Sequence, residues 1–280
     1  MVFGWMERED YPRTLAELEA RFSDEASCRE YLFQLRWPDG FRCPGCGRDR
    51  AWPLSSWRWQ CAGCGHQAST TAGTVFQDTR TPLPVWVRAM WWMTSQKNGV
   101  SALGLQQVLG WGSCQTAWTC LHKLRRAMIR PGRGTGRVRL RHIPDASASS
   151  LLPFVRDSIE PGSLIHTDGW AGYFPLEANG YRHKTTLVGR KGQASELPPR
   201  VHRVISLLKR WLLGTHQGAV GEEHLQGYLD EFAFRFNRRS SRSRGKLFYR
   251  LAQQAAAIEP TTYRQIVDSA KSPKKSNHNL

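Results

Sequence analysis

Four cysteines in two close pairs carry the most specific chemistry in this sequence. Cys43 and Cys46 are followed, after fourteen residues, by Cys61 and Cys64, and glycines at 45, 47, 63 and 65 let each Cys-x-x-Cys close into a tight knuckle. Two knuckles supply four thiolates to one tetrahedral Zn²⁺ with no open position, so the predicted ion is structural rather than catalytic. Paired disulfides or free thiols compete with that reading. The remaining cysteines, Cys28, Cys114 and Cys120, are isolated, however, unlike a secreted disulfide framework. His66, just past the second knuckle, reads as a surface residue rather than a fifth ligand. A second candidate is Asp168, at the exit of a short apolar run from Ser163 to His166. The carboxyl end of a strand is where an α/β sheet presents chemistry, and Gly169 and Gly172 leave room for a backbone or phosphate to approach. An Asp that opens a turn has the same surroundings. His202 and Lys209, seven residues apart on a predicted helix, fall on one face and can point at one ligand near Asp168, or they form a solvated polar face. A third set is cationic. Lys123, Arg125, Arg126 and Arg130 close a helix that opens on Gln115 and Thr116, which suits phosphate contact at one end and base-edge contact at the other.

Positioning these groups takes several elements. Residues 1–36 read as a helical lead-in, with Ser23 capping a helix whose apolar stripe is Cys28, Tyr31, Leu32 and Leu35. Residues 37–72 form the ribbon, in which Trp57 and Trp59 alternate toward Cys61 as a strand would. Residues 81–130 are helical. Within them a short helix, a Gly110-Trp111-Gly112 turn and a longer helix capped by Ser113, with Ala117, Cys120, Leu121, Leu124 and Met128 inward, make a helix-turn-helix shape. A plain helical hairpin with a basic face is the alternative. Across 137–258 the pattern turns α/β. Arg137 to Arg141 alternates as a strand, Asp145 or Ser147 caps a helix with Leu151, Leu152, Phe154, Val155 and Ile159 as its stripe, and Pro161-Gly162 stops it. The strand before Asp168 should return beside the one at Arg137 by a right-handed crossover. A further strand follows near 181–188. Three amphipathic helices complete the region, the first burying Val201, Val204, Ile205, Leu208 and Leu212. Residues 259–280 read as a basic tail, partly disordered.

Composition narrows the partners. Forty Lys and Arg against 23 Asp and Glu give a net charge of +17 and a pI near 10.1, which favours a polyanion, most plausibly nucleic acid. No apolar run approaches the ~20 residues that span a bilayer, so the expected location is cytoplasmic, associated with the nucleoid, with no membrane partner. From Thr79 to Pro144 there is neither Asp nor Glu, although eleven Lys or Arg occur there.

The cysteine ribbon, TAWTCLHKLRRAM, IPDASASSLLPFVRDSIEPGSLIHTDGWAGY, and VHRVISLLKRWLLGTHQGAV followed by LDEFAFRFNRR together resemble bacterial insertion-sequence transposases with an N-terminal zinc ribbon, insertion-sequence family fifteen-ninety-five, over residues 14–258. The resemblance implies an RNase H-like domain of the DDE type, in which acidic residues hold two divalent metals while DNA is cut and joined. Asp168 looks like the second catalytic aspartate, His202 like the occupant of the variable third position and Lys209 like the accompanying lysine. In the family a strand bearing the first aspartate, and an antiparallel strand after it, precede the strand at Arg137. Here only a short glycine-rich basic linker stands there, too short for two strands. The sequence therefore reads as α/β plus a small zinc ribbon: a truncated RNase H-like domain behind a ribbon and a helix-turn-helix-like region, with an internal deletion of the first Asp. The implied partner is double-stranded DNA at insertion-sequence ends, with room for a homo-oligomer. Zn²⁺ is structural, Mg²⁺ binds only if a catalytic site forms, and strand transfer is expected to be lost. The alternative is a zinc-dependent DNA-binding protein acting as a repressor or competitor of intact transposase. Only Asp145, placed beside Asp168 by direct pairing of the two strands, could restore a second carboxylate.

Overall fold

A computed structural model describes residues 9–129, 138–186 and 199–268. The chain forms two compact units, Met1–Met128 with Arg238–Leu280, and Ile129–Asn237. In the first, α1 (Leu15–Arg21) and α2 (Glu25–Arg36) lead in. The cap of α2 is Asp24, whose carboxylate accepts the Ser27 N–H at 2.8 Å, one residue beyond the expected Ser23. The stripe of α2 is buried as its spacing predicts, and Phe33, Trp37 and Phe41 carry the core on into the ribbon against Cys43, Cys61 and Ala68. There β1 (Ala51–Pro53), β2 (Arg58–Cys61) and β3 (Gln67–Ser69) pair antiparallel in order. After α3 (Leu83–Ser95) come α4 (Ala102–Leu109) and α5 (Cys114–Ala127), joined through Gly110 at φ 68°. The Ser113 hydroxyl accepts the Gln115 N–H, and Ala117, Cys120, Leu121, Leu124 and Met128 are buried, giving the helix-turn-helix shape its packing reason.

Among its described residues the second unit holds less strand than its pattern suggests. Residues 138–142 are not a strand. Helix α6 (Ala148–Ser158) is followed by β4 (Leu164–Thr167), a 3₁₀ segment Ala171–Asn179, and β5 (Arg182–Thr185). Among the described residues β4 pairs with β5, parallel, with Ile165 opposite His183 and Thr167 opposite Thr185, so the crossover runs forward to β5 and not back to residues 138–142, while Arg137 itself lies outside the described residues. Val155, Leu176 and Tyr181 form the core of this pair, with Leu152, Ile159 and Ile165 against it. The extended segment 138–142 instead lies along α8 (Leu225–Phe236), held by side-chain amides. Asn237 accepts the Val138 N–H and donates to its carbonyl, each at 2.8 Å, and Gln226 accepts the His142 N–H at 2.8 Å and donates to Leu140 O at 3.2 Å. Backbone polar groups need partners. Here two amides provide what a neighbouring strand would.

Between them in sequence lies α7 (Pro199–His216), whose apolar stripe was expected to be buried. Val201 and Ile205 are exposed, and Val204, Leu208 and Leu212 are only half-buried. The helix docks through its C-terminal end, where Trp211 packs against Tyr228 and Phe232 and the buried His216 against Tyr228. A stripe is buried only where a surface covers it, and the two strands found among the described residues of this unit offer little.

Past Asn237 the chain returns to the first unit. Helix α9 (Arg244–Ala257), expected within the 137–258 domain, packs on α2 and α3, with Phe248 fully buried beside Tyr31, Phe22 and Trp91. Its approach requires Gly245, since a Cβ there would lie 1.8 Å from the Pro12 carbonyl oxygen. Glu9 pairs with Lys246 at 2.7 Å and with Arg250. Helix α10 (Tyr263–Asp268) orders part of the segment expected to be a loose tail, with Ile266 and Thr261 buried. No described helix is long and apolar enough to cross a membrane.

Candidate metal centre and nucleic-acid interface

The ribbon brings its four sulfurs together. All lie within 4.8 Å of one another, with Cys43 to Cys64 and Cys46 to Cys61 each at 3.6 Å. A tetrahedron of 2.3 Å zinc–sulfur bonds has edges of about 3.8 Å, whereas a disulfide needs about 2 Å, so the donor set fits zinc. Each knuckle is built alike. Gly47 and Gly65 take left-handed φ of 76° and 70° and donate back to the carbonyls of Cys43 and Cys61. The Gly63 amide donates to Cys61 Sγ at 3.3 Å, and the amides of Gly63 and Cys64 hold that thiol low, at about 6, toward the thiolate a metal requires. Cys43 and Cys61 are buried, Cys46 and Cys64 exposed. His66 is exposed and lies outside the cluster. Trp57 is not in a strand. It occupies the β1–β2 turn at φ 61°.

On α5 the proposed DNA contacts divide. Gln115, Thr116 and Arg126 are exposed and Lys123 is half-buried. Arg125 is 1% exposed, the largest fully buried side chain of the described residues, so it belongs to the core and not to a phosphate-contacting face. The helical period holds the reason: Arg125 lies four residues past Leu121 and one past Leu124, inside the buried stripe. Arg130 lies outside the described residues. Gln115, Thr116, Thr119 and Lys123 line a groove of about 260 Å³ whose other wall is Asp78, Arg80 and Tyr263, none of them marked by sequence pattern. Burial lowers the Lys123 ammonium pKa, while Asp78 opposes the shift.

Asp168 sits, exposed, directly after β4. It is at once at the strand exit and in a turn, since Oδ1 accepts the Trp170 N–H at 3.1 Å. Its charge reaches Tyr173, whose pKa rises first through burial and then through Asp168. The neighbouring histidines are engaged elsewhere. His166 shares a hydrogen bond with Thr186 and His183 with Thr167. Gly172 does provide room, but for the chain itself, since a Cβ there would lie 2.4 Å from the Ala146 carbonyl, which also accepts the Trp170 indole N–H at 2.7 Å. The Asp145 loop therefore abuts the segment after Asp168 without strand pairing. The Asp145 carboxylate is spent on the start of α6, accepting from the Ser147 amide and the Ser150 hydroxyl, and these bonds hold its pKa down. His202 and Lys209 are exposed on α7. Among the described residues the one group of three or more His, Cys, Asp or Glu able to converge on an ion is the cysteine quartet; Asp168 and His202 belong to none.

Residues 23–67 match the transposase zinc-ribbon domain, and residues 114–237 match the ISXO2-like transposase domain. The chain is also 21% identical over 115 residues to an uncharacterized transposase-like protein of Haemophilus influenzae, spanning 40% of this chain and 89% of that protein. No solved structure matches it.

Proposed function

Since this chain belongs to the insertion-sequence transposases that join a zinc ribbon to an ISXO2-like domain, we propose that it retains their DNA binding but has lost strand cleavage. The observation that carries this reading is that Asp168 belongs to no group of three or more His, Cys, Asp or Glu able to hold an ion among the described residues. Two-metal phosphoryl chemistry, in which the ions activate the attacking oxygen and stabilise the leaving one, needs carboxylates on both sides of the metals. Mg²⁺ further demands near-octahedral oxygen ligation. One exposed aspartate and a histidine do not meet that demand, and Asp145 is engaged by the Ser147 amide and the Ser150 hydroxyl at the start of α6, whose cap is Ser147. The described residues do not fit a Mg²⁺ pair. On this reading His202 and Lys209 mark the family's third position and lysine, left on α7. An internal deletion of the first-aspartate strand and its neighbour accounts for three features together: the two-stranded sheet, the amide-held segment 138–142 and the uncovered face of α7.

A repressor or competitor of intact transposase is the role favoured by one further observation. The ribbon and the helix-turn-helix belong to a compact unit that does not contain Asp168. Double-stranded DNA at insertion-sequence ends is the proposed ligand, contacted by Gln115, Thr116, Lys123 and Arg126. The test pairs two assays on one preparation. Duplex binding should fall steeply with salt, and nicking of the same duplex should be undetectable in Mg²⁺ or Mn²⁺. Cleavage that disappears with Asp168→Ala would show a working site and overturn the proposal.

A further inference from the structure

Two indoles on the zinc-ribbon hairpin are left unused by the protein's own core. Trp52 in β1 is 48% exposed and Trp57 in the turn 51%, whereas Trp59, on the opposite face, stacks on Phe33 at 4.3 Å. Cross-strand register explains the split. Trp52 is opposite Gln60 and Gln60 opposite Gln67, so these three share the outward face, while Trp59 is opposite the buried Ala68. Arg58 shares that face two residues before Gln60 and reaches the Gln67 side chain at 3.5 Å. We infer that this face, together with the Trp57 indole exposed at the hairpin tip beyond it, is a stacking platform for the unpaired bases of single-stranded DNA.

Three observations support the assignment. Trp57 is held at φ 61°, a backbone conformation costly for a bulky residue and open to glycine, in a turn closed by its own N–H to Leu54 O at 3.2 Å and the Leu54 N–H to Arg58 O at 2.8 Å. The strain delivers an indole to solvent at the hairpin tip. The flanking side chains, Arg58, Gln60 and Gln67, are cationic or amide, suited to phosphates and base edges rather than to an apolar protein surface. The Arg29 guanidinium, ion-paired with Glu25 on its own helix, lies 5.9 Å from the Trp57 ring centre, so a cation stands beside the indole at the hairpin tip. Duplex DNA hides the base faces. An indole can stack only on a base already out of the helix, so the platform fits single-stranded DNA, with sequence-tolerant affinity.

This inference rests on the chain being a DNA-binding protein but not on the state of the Asp168 site. The test uses the full-length zinc-loaded protein, with a labelled oligothymidine and a labelled mixed-sequence duplex compared by fluorescence anisotropy at one salt concentration. Trp52→Ala with Trp57→Ala should weaken oligothymidine binding by roughly 25-fold or more, since each lost base stack is worth about fivefold at least. Duplex affinity should change less than twofold, and one zinc per chain should remain. Trp57→Gly controls for folding. It relieves the turn, should keep or raise the melting temperature, and should still weaken oligothymidine binding. Unchanged oligothymidine affinity in variants that keep zinc overturns the proposal. So does an equal loss for both ligands, which would make the ribbon a general phosphate surface. Wild-type binding to duplex alone sinks this inference and leaves the DNA-binding reading standing; binding to neither sinks both.

Discussion

Arg125 and Arg126 are sequence neighbours with opposite surroundings, one fully buried and one exposed at the end of α5. A buried guanidinium contributes through packing and desolvated polar contacts, an exposed one through its charge at long range. Arg126→Ala should therefore leave the melting temperature nearly unchanged and flatten the slope of log binding constant against log salt by about 1. Arg125→Ala should destabilise the first unit by about 2–4 kcal/mol, the range for disrupting a buried polar residue. Its salt slope, at temperatures where it remains folded, should match the parent. Thermal melts and salt titrations of the two variants side by side decide the matter, and a flattened slope with full stability in Arg125→Ala would return that residue to the DNA-facing set.

At the scale of elements, α8 serves as scaffold for a segment that lacks a strand partner, and its Gln226 also donates to Asp230 Oδ1 at 2.9 Å. Burial raises the Asp230 carboxyl from an ordinary 3.8 to about 6, with the Gln226 bond opposing. The folded state thus holds this proton more tightly than the unfolded one. Stability should decline as pH climbs from about 4 through about 6, and above that the buried charge is a standing cost. Asp230→Asn keeps an acceptor for Gln226 and removes the charge. It should stabilise the second unit by roughly 1–2 kcal/mol at pH 7.5 and by nothing below pH 4; urea unfolding at the two pH values measures the difference, and an equal gain at both would exclude the charge as its cause. Elements of this chain were legible in sequence to the extent that their stabilisation is local. The cysteine knuckles, the Ser113 cap and the Gly110 turn each depend on residues a few positions apart, and each stands where its spacing put it. The alternation at 138–142 promised a strand, but a strand exists only through a partner, and the groups that hold this segment are amides 84 to 99 residues away. The stripe of α7 was legible too. Its exposure was not, because burial is a property of whatever surface faces it. Arg125 was readable, since it lies within the same period as Leu121, Leu124 and Met128, and the motif's cationic look obscured that.

For the whole molecule the consequence with most reach is the return of the chain after Asn237. Linear order assigns the DNA-binding parts to residues 37–130 and treats everything beyond 137 as the catalytic domain and its tail, so a chain ending near 237 would be expected to bind DNA normally. The contacts make the first unit out of both ends of the chain. Leu247, Phe248, Leu251, Ala252 and Ala255 of α9 are all 1% exposed or less, and Phe248 fills the space among Tyr31, Phe22 and Trp91. The Val75 amide also donates to the Ala255 carbonyl. Removing one such aromatic side chain costs about 3–5 kcal/mol, and a typical domain holds only about 5–15 kcal/mol in all. A stop codon after Asn237 should therefore unfold α2 and α3 with the helix-turn-helix and abolish duplex binding, although no residue proposed to touch DNA has been removed. Phe248→Ala in the full-length chain should give a graded version, a melting temperature lowered by several degrees with binding intact below it. The ribbon should survive longest, since zinc contributes folding energy to it directly. Circular dichroism melts and anisotropy on the three proteins test this, and a truncated chain that melts cooperatively and binds duplex with parental affinity would show that the N-terminal segment folds without α9.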